Sequence, residues 1–246
     1  MESSVEVLKD LDALVDRAQF LVCAELQTAI AQRGQFTLAL SGGSTPKPLY
    51  ESLAQQDLPW DKVHIFWGDE RYVPANHPDS NEGMARRAWL DQVPIPAEHI
   101  HPMPTQDADP AVSAQLYEQH LSRFFGGKEG GSADEIPALD VVLLGLGDDG
   151  HTASLFPQTE VLNVCDRWIG VGNRGADPRL TFTIGLINRA RCALFLVAGQ
   201  NKRPALQAIF SKDANSFDYP ARFIRPEGKL IWLLDADAGE GLKIAS

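Results

Sequence analysis

Three short polar runs carry the residue types that chemistry needs, and each directly follows an apolar stretch: SGGSTPK at 41–47, GDER at 68–71 and GDDGH at 147–151. In the last, Gly147 and Gly150 flank Asp148 and Asp149, so the turn is tight and its backbone can be approached closely. His151 follows at once, before TASLF, where a helix is expected to start. A helix N-terminus disfavours imidazolium, so His151 is expected to be neutral and able to accept a proton, as a general base must. The competing reading is a structural or solvated histidine.

The first run has the makings of a phosphate cradle, because Gly42 and Gly43 let the backbone approach an anion and Ser44 or Thr45 can cap a helix whose first residue is Pro46. It equally fits a capped turn with no ligand. Neither GxxxxGK[ST] nor GxGxxG spacing is present, which argues against a nucleotide loop. In the second run, Asp69, Glu70 and Arg71 form either a solvated rim or a substrate contact, with the Arg71 guanidinium suited to phosphate or a developing oxyanion. Arg179 in DPRLTFT and Lys202 in VAGQNKRPAL stand at the edges of expected elements, as anion-binding cations or as ordinary surface charges. No HxxxH, HExxH or CxxC spacing occurs, and the His99/His101 pair reads as strand or loop polarity, so no metal site is expected. Gly42-Gly43-Ser44 is not the GxSxG of a hydrolase nucleophile elbow.

The elements that would position these runs alternate. From Val5 to about Arg33 apolar residues recur at helical spacing, and Gly34 is a natural stop. FTLALS reads as a strand followed by a helix, VHIFWGDER as a strand running into a loop, and DSNEGMARRAWLDQV as a helix. ALDVVLLGLG is an apolar run typical of a strand buried on both faces. RLTFTIGLINRA and CALFLVAG read as strands around a short helical piece, NKRPALQAIF as a helix and KLIWLLD as a last strand. This alternation predicts an α/β fold, a Rossmann-like, mainly parallel sheet with helices on both faces. Ligands in such sheets bind at the carboxyl ends of the strands, where the three polar runs would converge. The glycine- and charge-rich stretch from Phe124 to Pro137 reads as a mobile surface loop inside one domain spanning 1–246.

The chain has 246 residues, 44% of them apolar, and a formal charge of −11, which disfavours a nucleic-acid partner because phosphate backbones need clustered basic surface. A pocket for a small anion needs only a few cations and oriented N–H groups, so an anionic substrate remains compatible with that charge. No stretch approaches the roughly 20 apolar residues of a membrane span, and the N-terminal segment is polar and acidic, so neither a membrane nor secretion is expected and the cytoplasm is the natural compartment. Cys23, Cys165 and Cys192 are widely spaced among apolar neighbours and are expected to be reduced core thiols. Trp60, Trp89 and Trp168 belong either to an interface or to the core.

Taken together, LALSGGSTPKPLYESLA, VHIFWGDERYVPANHPDSNEGMARRAWL, DVVLLGLGDDGHTASLFP, PRLTFTIGLINRA and LFLVAGQNKRPAL resemble the 6-phosphogluconolactonase family, from about Phe36 to the last strand. The resemblance implies hydrolysis of 6-phospho-D-glucono-1,5-lactone to 6-phosphogluconate, without metal or cofactor, on the fold shared with glucosamine-6-phosphate deaminases and ribose-5-phosphate isomerase-like proteins. It implies His151 as the base that activates water and Asp149 as the group that orients it or binds a sugar hydroxyl. Arg71 and Asp69 become substrate contacts, Arg71 also an oxyanion stabiliser, and Gly42, Gly43, Ser44, Thr45, Arg179 and Lys202 the holders of the 6-phosphate. The alternatives are a hexosamine-6-phosphate deaminase/isomerase and a non-catalytic sugar-phosphate sensor. The deaminase pattern DGHIAFNEP has Asn and Glu where this chain has Leu155 and Phe156, and an apolar ring cannot carry a proton. The sensor carries a DNA-binding segment ahead of its sugar-binding part, whereas here one long helix is expected before the first strand.

Overall fold

A computed structural model describes residues 2–126 and 136–242. The strands are β1 (Glu2–Leu8), β2 (Phe36–Leu40), β3 (Val63–Trp67), β4 (Asp69–Arg71), β5 (Val141–Leu144), β6 (Ile169–Arg174), β7 (Asp177–Phe182), β8 (Cys192–Val197) and β9 (Lys229–Asp235). The helices are α1 (Leu11–Arg33), α2 (Lys47–Leu53), α3 (Asn81–Ala88), α4 (Pro110–Phe124), α5 (Ile184–Asn188), α6 (Arg203–Phe210) and α7 (Ala236–Gly239). Six strands form one sheet in the order β1-β9-β8-β5-β2-β3, and every pairing in it is parallel. All positions of β2, β5 and β8 are buried. Successive side chains point to opposite faces, so both faces of this sheet are covered, as the unbroken apolar runs predict.

From β2 the chain steps to β3 on one side and later to β5, β8 and β9 on the other. The direction therefore reverses between β2 and β5, and the crevice outside their carboxyl ends is where such sheets take ligands. A second sheet, antiparallel in the order β4-β7-β6, stands beside that crevice. It was not expected from the sequence: the DER of GDER forms β4, not a loop, because Asp69, Glu70 and Arg71 pair with Thr181, Leu180 and Arg179.

The amino-terminal segment also departs from expectation. Glu2–Leu8 pairs with β9 as a parallel edge strand, and the helix begins only after Asp10, whose carboxylate accepts a hydrogen bond from the Ala13 N–H at 2.8 Å. Val5, Val7 and Leu8 satisfy strand and helix periods alike, and pairing with β9 decides between them. The α3 helix is shorter than DSNEGMARRAWLDQV, ending at Ala88 with a 3-10 turn at Leu90–Gln92. Neither Ser44 nor Thr45 caps α2; Pro46 occupies the cap position without a side-chain bond.

Trp60, Trp89 and Trp168 all belong to the core, with Tyr50 stacked on Trp89 at 5.6 Å and Trp60 edge-on to it at 5.7 Å. All three cysteines are free, but Cys165 is exposed and is not the core thiol expected, whereas burial pushes the Cys192 thiol up to about 12. Most of the stretch read as a mobile loop, 127–135, lies outside the described residues. Among the described residues no helix is long and apolar enough to cross a membrane.

Candidate active site

The carboxyl ends of β2, β3, β5 and β8 deliver their following residues to one cleft of ≈ 400 Å³, lined by Ser41, Gly42, Asp69, Arg71, Asn81, the 145–149 turn, His151, Ala153, Arg174, Arg179 and Lys202. Larger cavities of ≈ 470 and ≈ 490 Å³ lie elsewhere. The first opens at the amino ends of the strands, where its buried carboxylate, Asp140, is already bound by Arg33 at 2.7 Å and the Thr37 hydroxyl at 2.9 Å. The second is bordered by α4 and contains no histidine. Size therefore does not locate the chemistry; unspent charge does.

The loop after β5 is closed on itself by the Gly147 N–H donating to the His151 carbonyl at 2.8 Å and by the Thr152 hydroxyl donating to the Gly145 carbonyl at 2.8 Å. A Cβ at Gly147 would lie 2.0 Å from His151 Nδ1, so glycine there is a packing requirement of the imidazole. No helix follows. Thr152 and Leu155 form an isolated antiparallel bridge, and Ala153 takes a left-handed φ of 48°. The helix terminus expected to act on His151 is thus absent, and its place is taken by Asp149, whose Oδ1 lies 2.5 Å from Nδ1 and 3.1 Å from the His151 N–H. Burial raises the Asp149 carboxyl, but hydrogen bonds from the imidazole and the backbone outweigh it and bring it down to about 2. A carboxylate at Nδ1 fixes the tautomer with hydrogen there and leaves the lone pair on Nε2.

Asp148 turns the other way. Its Oδ1 accepts hydrogen bonds from Lys202 Nζ and, at 2.9 Å, from Asn201 Nδ2, and Lys202 foremost holds this carboxyl below its ordinary value. Adjacent aspartates therefore serve different partners, one the histidine and one the lysine.

Three arginines line the same cleft as the histidine. Arg71 and Arg179 are register partners across β4 and β7, and Arg174 at the tip of the β6–β7 hairpin lines the same cleft. Like charges placed directly opposite each other destabilise a strand pair. Burial, then the Arg71 charge, lowers the Arg179 pKa from its ordinary value. The Nε atoms of both arginines are shielded from water and have no hydrogen-bond partner among the described residues. Arg71 is anchored by one Nη1 bond to the Asp79 carbonyl at 2.6 Å. Such an arrangement is relieved by an anion.

The two carboxylates of GDER also join segments of the fold. Glu70 accepts hydrogen bonds from the N–H groups of Arg71, Asn81 and Glu82 and from the Ser80 hydroxyl, tying β4 to the start of α3, while burial pushes its carboxyl up against the pull of those N–H donors. Asp69 lines the cleft floor, but its carboxylate accepts from the Ser154 hydroxyl at 2.6 Å and more weakly from Asn81 Nδ2 at 3.4 Å. The first of these contacts binds the histidine loop to the arginine sheet.

Of the residues singled out from the sequence, Gly42, Asp69, Arg71, Asp149, His151, Arg179 and Lys202 meet in the cleft. Gly43, Ser44 and Thr45 do not line it, because the chain turns away after Gly42 toward α2, with Gly43 at φ 101° and Ser44 exposed. Asn81 and Arg174 were missed. A Cβ at Gly42 would lie 1.9 Å from Asn81 Oδ1, a contact invisible in the sequence. Arg174 pairs with Asp177, two positions before Arg179 on the opposing strand and on the same face, a signal available only once that segment is read as a hairpin. His99 and His101, read as strand or loop polarity, lie against His64 away from the cleft, and His101 also against His120, with His64 Nδ1 and His101 Nε2 3.2 Å apart and His101 Nδ1 and His120 Nε2 2.8 Å apart. Among the described residues no group of three or more His, Cys, Asp or Glu side chains is placed to hold a metal ion.

The fold and the cleft define a class: an α/β protein that sets an aspartate-supported histidine against clustered arginines at the carboxyl edge of a parallel sheet. A family model described as glucosamine-6-phosphate isomerases/6-phosphogluconolactonase matches residues 9–232, and the chain belongs to that family. A 6-phosphogluconolactonase of Nostoc sp. is 61% identical over 244 residues, covering 99% of this chain and all of the relative. The crystal structure of 6-phosphogluconolactonase from Leishmania guyanensis superposes with a TM-score of 0.88 at 28% identity, covering 99% of this chain and 100% of that one. A monomeric glucosamine-6-phosphate deaminase, at 18% identity and a TM-score of 0.79 over 97% of this chain and 99% of its own, shares the fold.

Proposed function

We propose that the chain hydrolyses 6-phospho-D-glucono-1,5-lactone to 6-phosphogluconate, the second step of the oxidative pentose phosphate pathway. The observation that carries this reading is a single cleft holding a histidine with its Nδ1 engaged by Asp149 together with arginines whose buried Nε groups have no hydrogen-bond partner among the described residues. One end can activate water and the other can hold a phosphate. The identity to a 6-phosphogluconolactonase over the whole chain supports the same substrate.

In the proposed reaction His151 Nε2 takes a proton from water as its oxygen bonds to the lactone C1 carbonyl. The carbonyl oxygen becomes an oxyanion, for which Arg71 supplies the nearby positive charge. Collapse of the tetrahedral intermediate breaks the bond to the ring oxygen, and the imidazolium returns its proton there. Asp149 stabilises the imidazolium between these events. Arg179, with Lys202 and the Gly42 backbone, receives the 6-phosphate, and binding at that remote group positions the carbonyl for attack. Gly43, Ser44 and Thr45 contribute by shaping the turn that presents Gly42. A δ-lactone is an activated ester, so one base, one cation and positioning suffice, and we assign the reaction neither metal nor cofactor. The reading includes a small-molecule partner alone and action in the cytoplasm, which the three unpaired thiols fit.

The test is loss of freshly generated 6-phosphogluconolactone followed by NMR at mildly acidic pH, beside glucosamine 6-phosphate. Rapid lactone loss that falls at least about a hundredfold in His151→Ala, with the amino sugar untouched, is the expected result. Ammonia release from the amino sugar, or wild-type turnover in the variant, would refute it.

A further inference from the structure

Phe156 is 5% exposed, yet unlike its neighbour Leu155 it does not join the continuous apolar core. It does not line the cleft either. Its ring centroid lies 4.5 Å from that of His151, tilted by 46°, and the Arg179 guanidinium carbon lies 5.4 Å from the same ring centroid. We propose that Phe156 is a positioning residue: its ring is a shared platform that orients the base and the phosphate-binding arginine together.

The ring adds a restraint to each group. The Asp149 bond holds one edge of the His151 ring but leaves the ring free to rock about that contact; a ring packed against the imidazole removes the rocking. Arg179 has an Nε with no hydrogen-bond partner among the described residues, so face contact with an aromatic ring is the interaction available to set its plane. The platform is itself anchored. The Phe156 carbonyl accepts the Thr159 hydroxyl at 2.7 Å, and the preceding Ser154 is tied to Asp69.

The inference rests on the lactonase reading for its kinetic test and on phosphate binding for an independent one. In Phe156→Leu, the KM for the phosphorylated lactone is expected to rise about fivefold as Arg179 loses its support. With gluconolactone lacking the phosphate, KM should stay within about twofold of wild type, while kcat falls about fivefold with both lactones as His151 loses its backing. In an Arg179→Met background the same substitution should no longer raise KM. Phe156→Met, unbranched, flexible and lacking the ring, gives the same pattern should the leucine variant fail to fold. Unchanged kinetics with only a lower Tm, or an equal KM shift for both lactones, would overturn the proposal. Titration with inorganic phosphate by calorimetry is expected to show about fivefold weaker binding in Phe156→Leu. Unaltered phosphate affinity would remove the Arg179 half of the proposal, whereas a wild type inert toward the lactone would sink the lactonase reading and leave the phosphate result to decide the ring's role.

Discussion

Exchanging the adjacent aspartates one at a time should separate them sharply. Asp149→Asn removes the charge 2.5 Å from His151 Nδ1 and puts an amide there that can donate as readily as accept. A hydrogen bond to a charged group is worth about 1.5–3 kcal/mol, and because half of the Asp149 side chain is exposed the lower figure applies. About 1.5 kcal/mol lost from tautomer selection is roughly tenfold, and a similar loss from the imidazolium formed in the transition state is roughly tenfold again. The expectation is therefore a kcat about a hundredfold lower with KM within about threefold. Asp148→Asn, which touches Lys202 and Asn201 and not the histidine, should leave kcat within about threefold and move KM for the phosphorylated lactone instead. Steady-state hydrolysis measured on both variants at one pH, with circular dichroism to confirm folding, decides the matter. A near-wild-type kcat for Asp149→Asn, or a larger kcat loss for Asp148→Asn, would refute this division.

Three further outcomes are expected. Lys202→Ala and Arg179→Met should each raise KM for the phosphorylated lactone by about tenfold or more while sparing the unphosphorylated one, and equal effects on the two would deny them the phosphate. Burial, then neighbouring imidazoles, pushes His101 down to about 3 and His64 to about 4, so both stay neutral in the folded protein while an unfolded chain protonates near 6.5. The unfolded state then binds more protons between these values, and stability should fall as pH drops from about 6.5 toward 4; His101→Phe should flatten that slope, and parallel Tm curves would contradict the account. Treatment with a chelator should leave lactone hydrolysis intact, and activity lost and restored by zinc would reopen the question of a metal.

The parallel sheet was legible in the sequence because strands buried on both faces must be apolar at every position, and VVLL and CALFLV have no other use. The polar run after each strand was legible as well, since a parallel sheet sends all its carboxyl ends to one edge, and Gly42, Arg71, Asp149 and His151 do share a cleft there. β1 was not legible, because Val5, Val7 and Leu8 fit two periods and only β9, more than two hundred residues away, supplies the strand's hydrogen bonds among the described residues. The helix expected after His151 failed for a similar reason: TASLF is held by Asp69 and Thr181, distant in sequence, in a turn that local propensity does not favour. Residue types and spacing thus set the fold class and the kind of chemistry, since periodicity and side-chain reactivity are local properties. Tertiary structure alone decided that Arg71 faces Arg179 and that Arg179 lies over Phe156, because each is a contact between segments that the chain order keeps apart, and that Asp149 and not a helix terminus supports the histidine, because Asp69 and Thr181 hold the segment after His151 out of a helix.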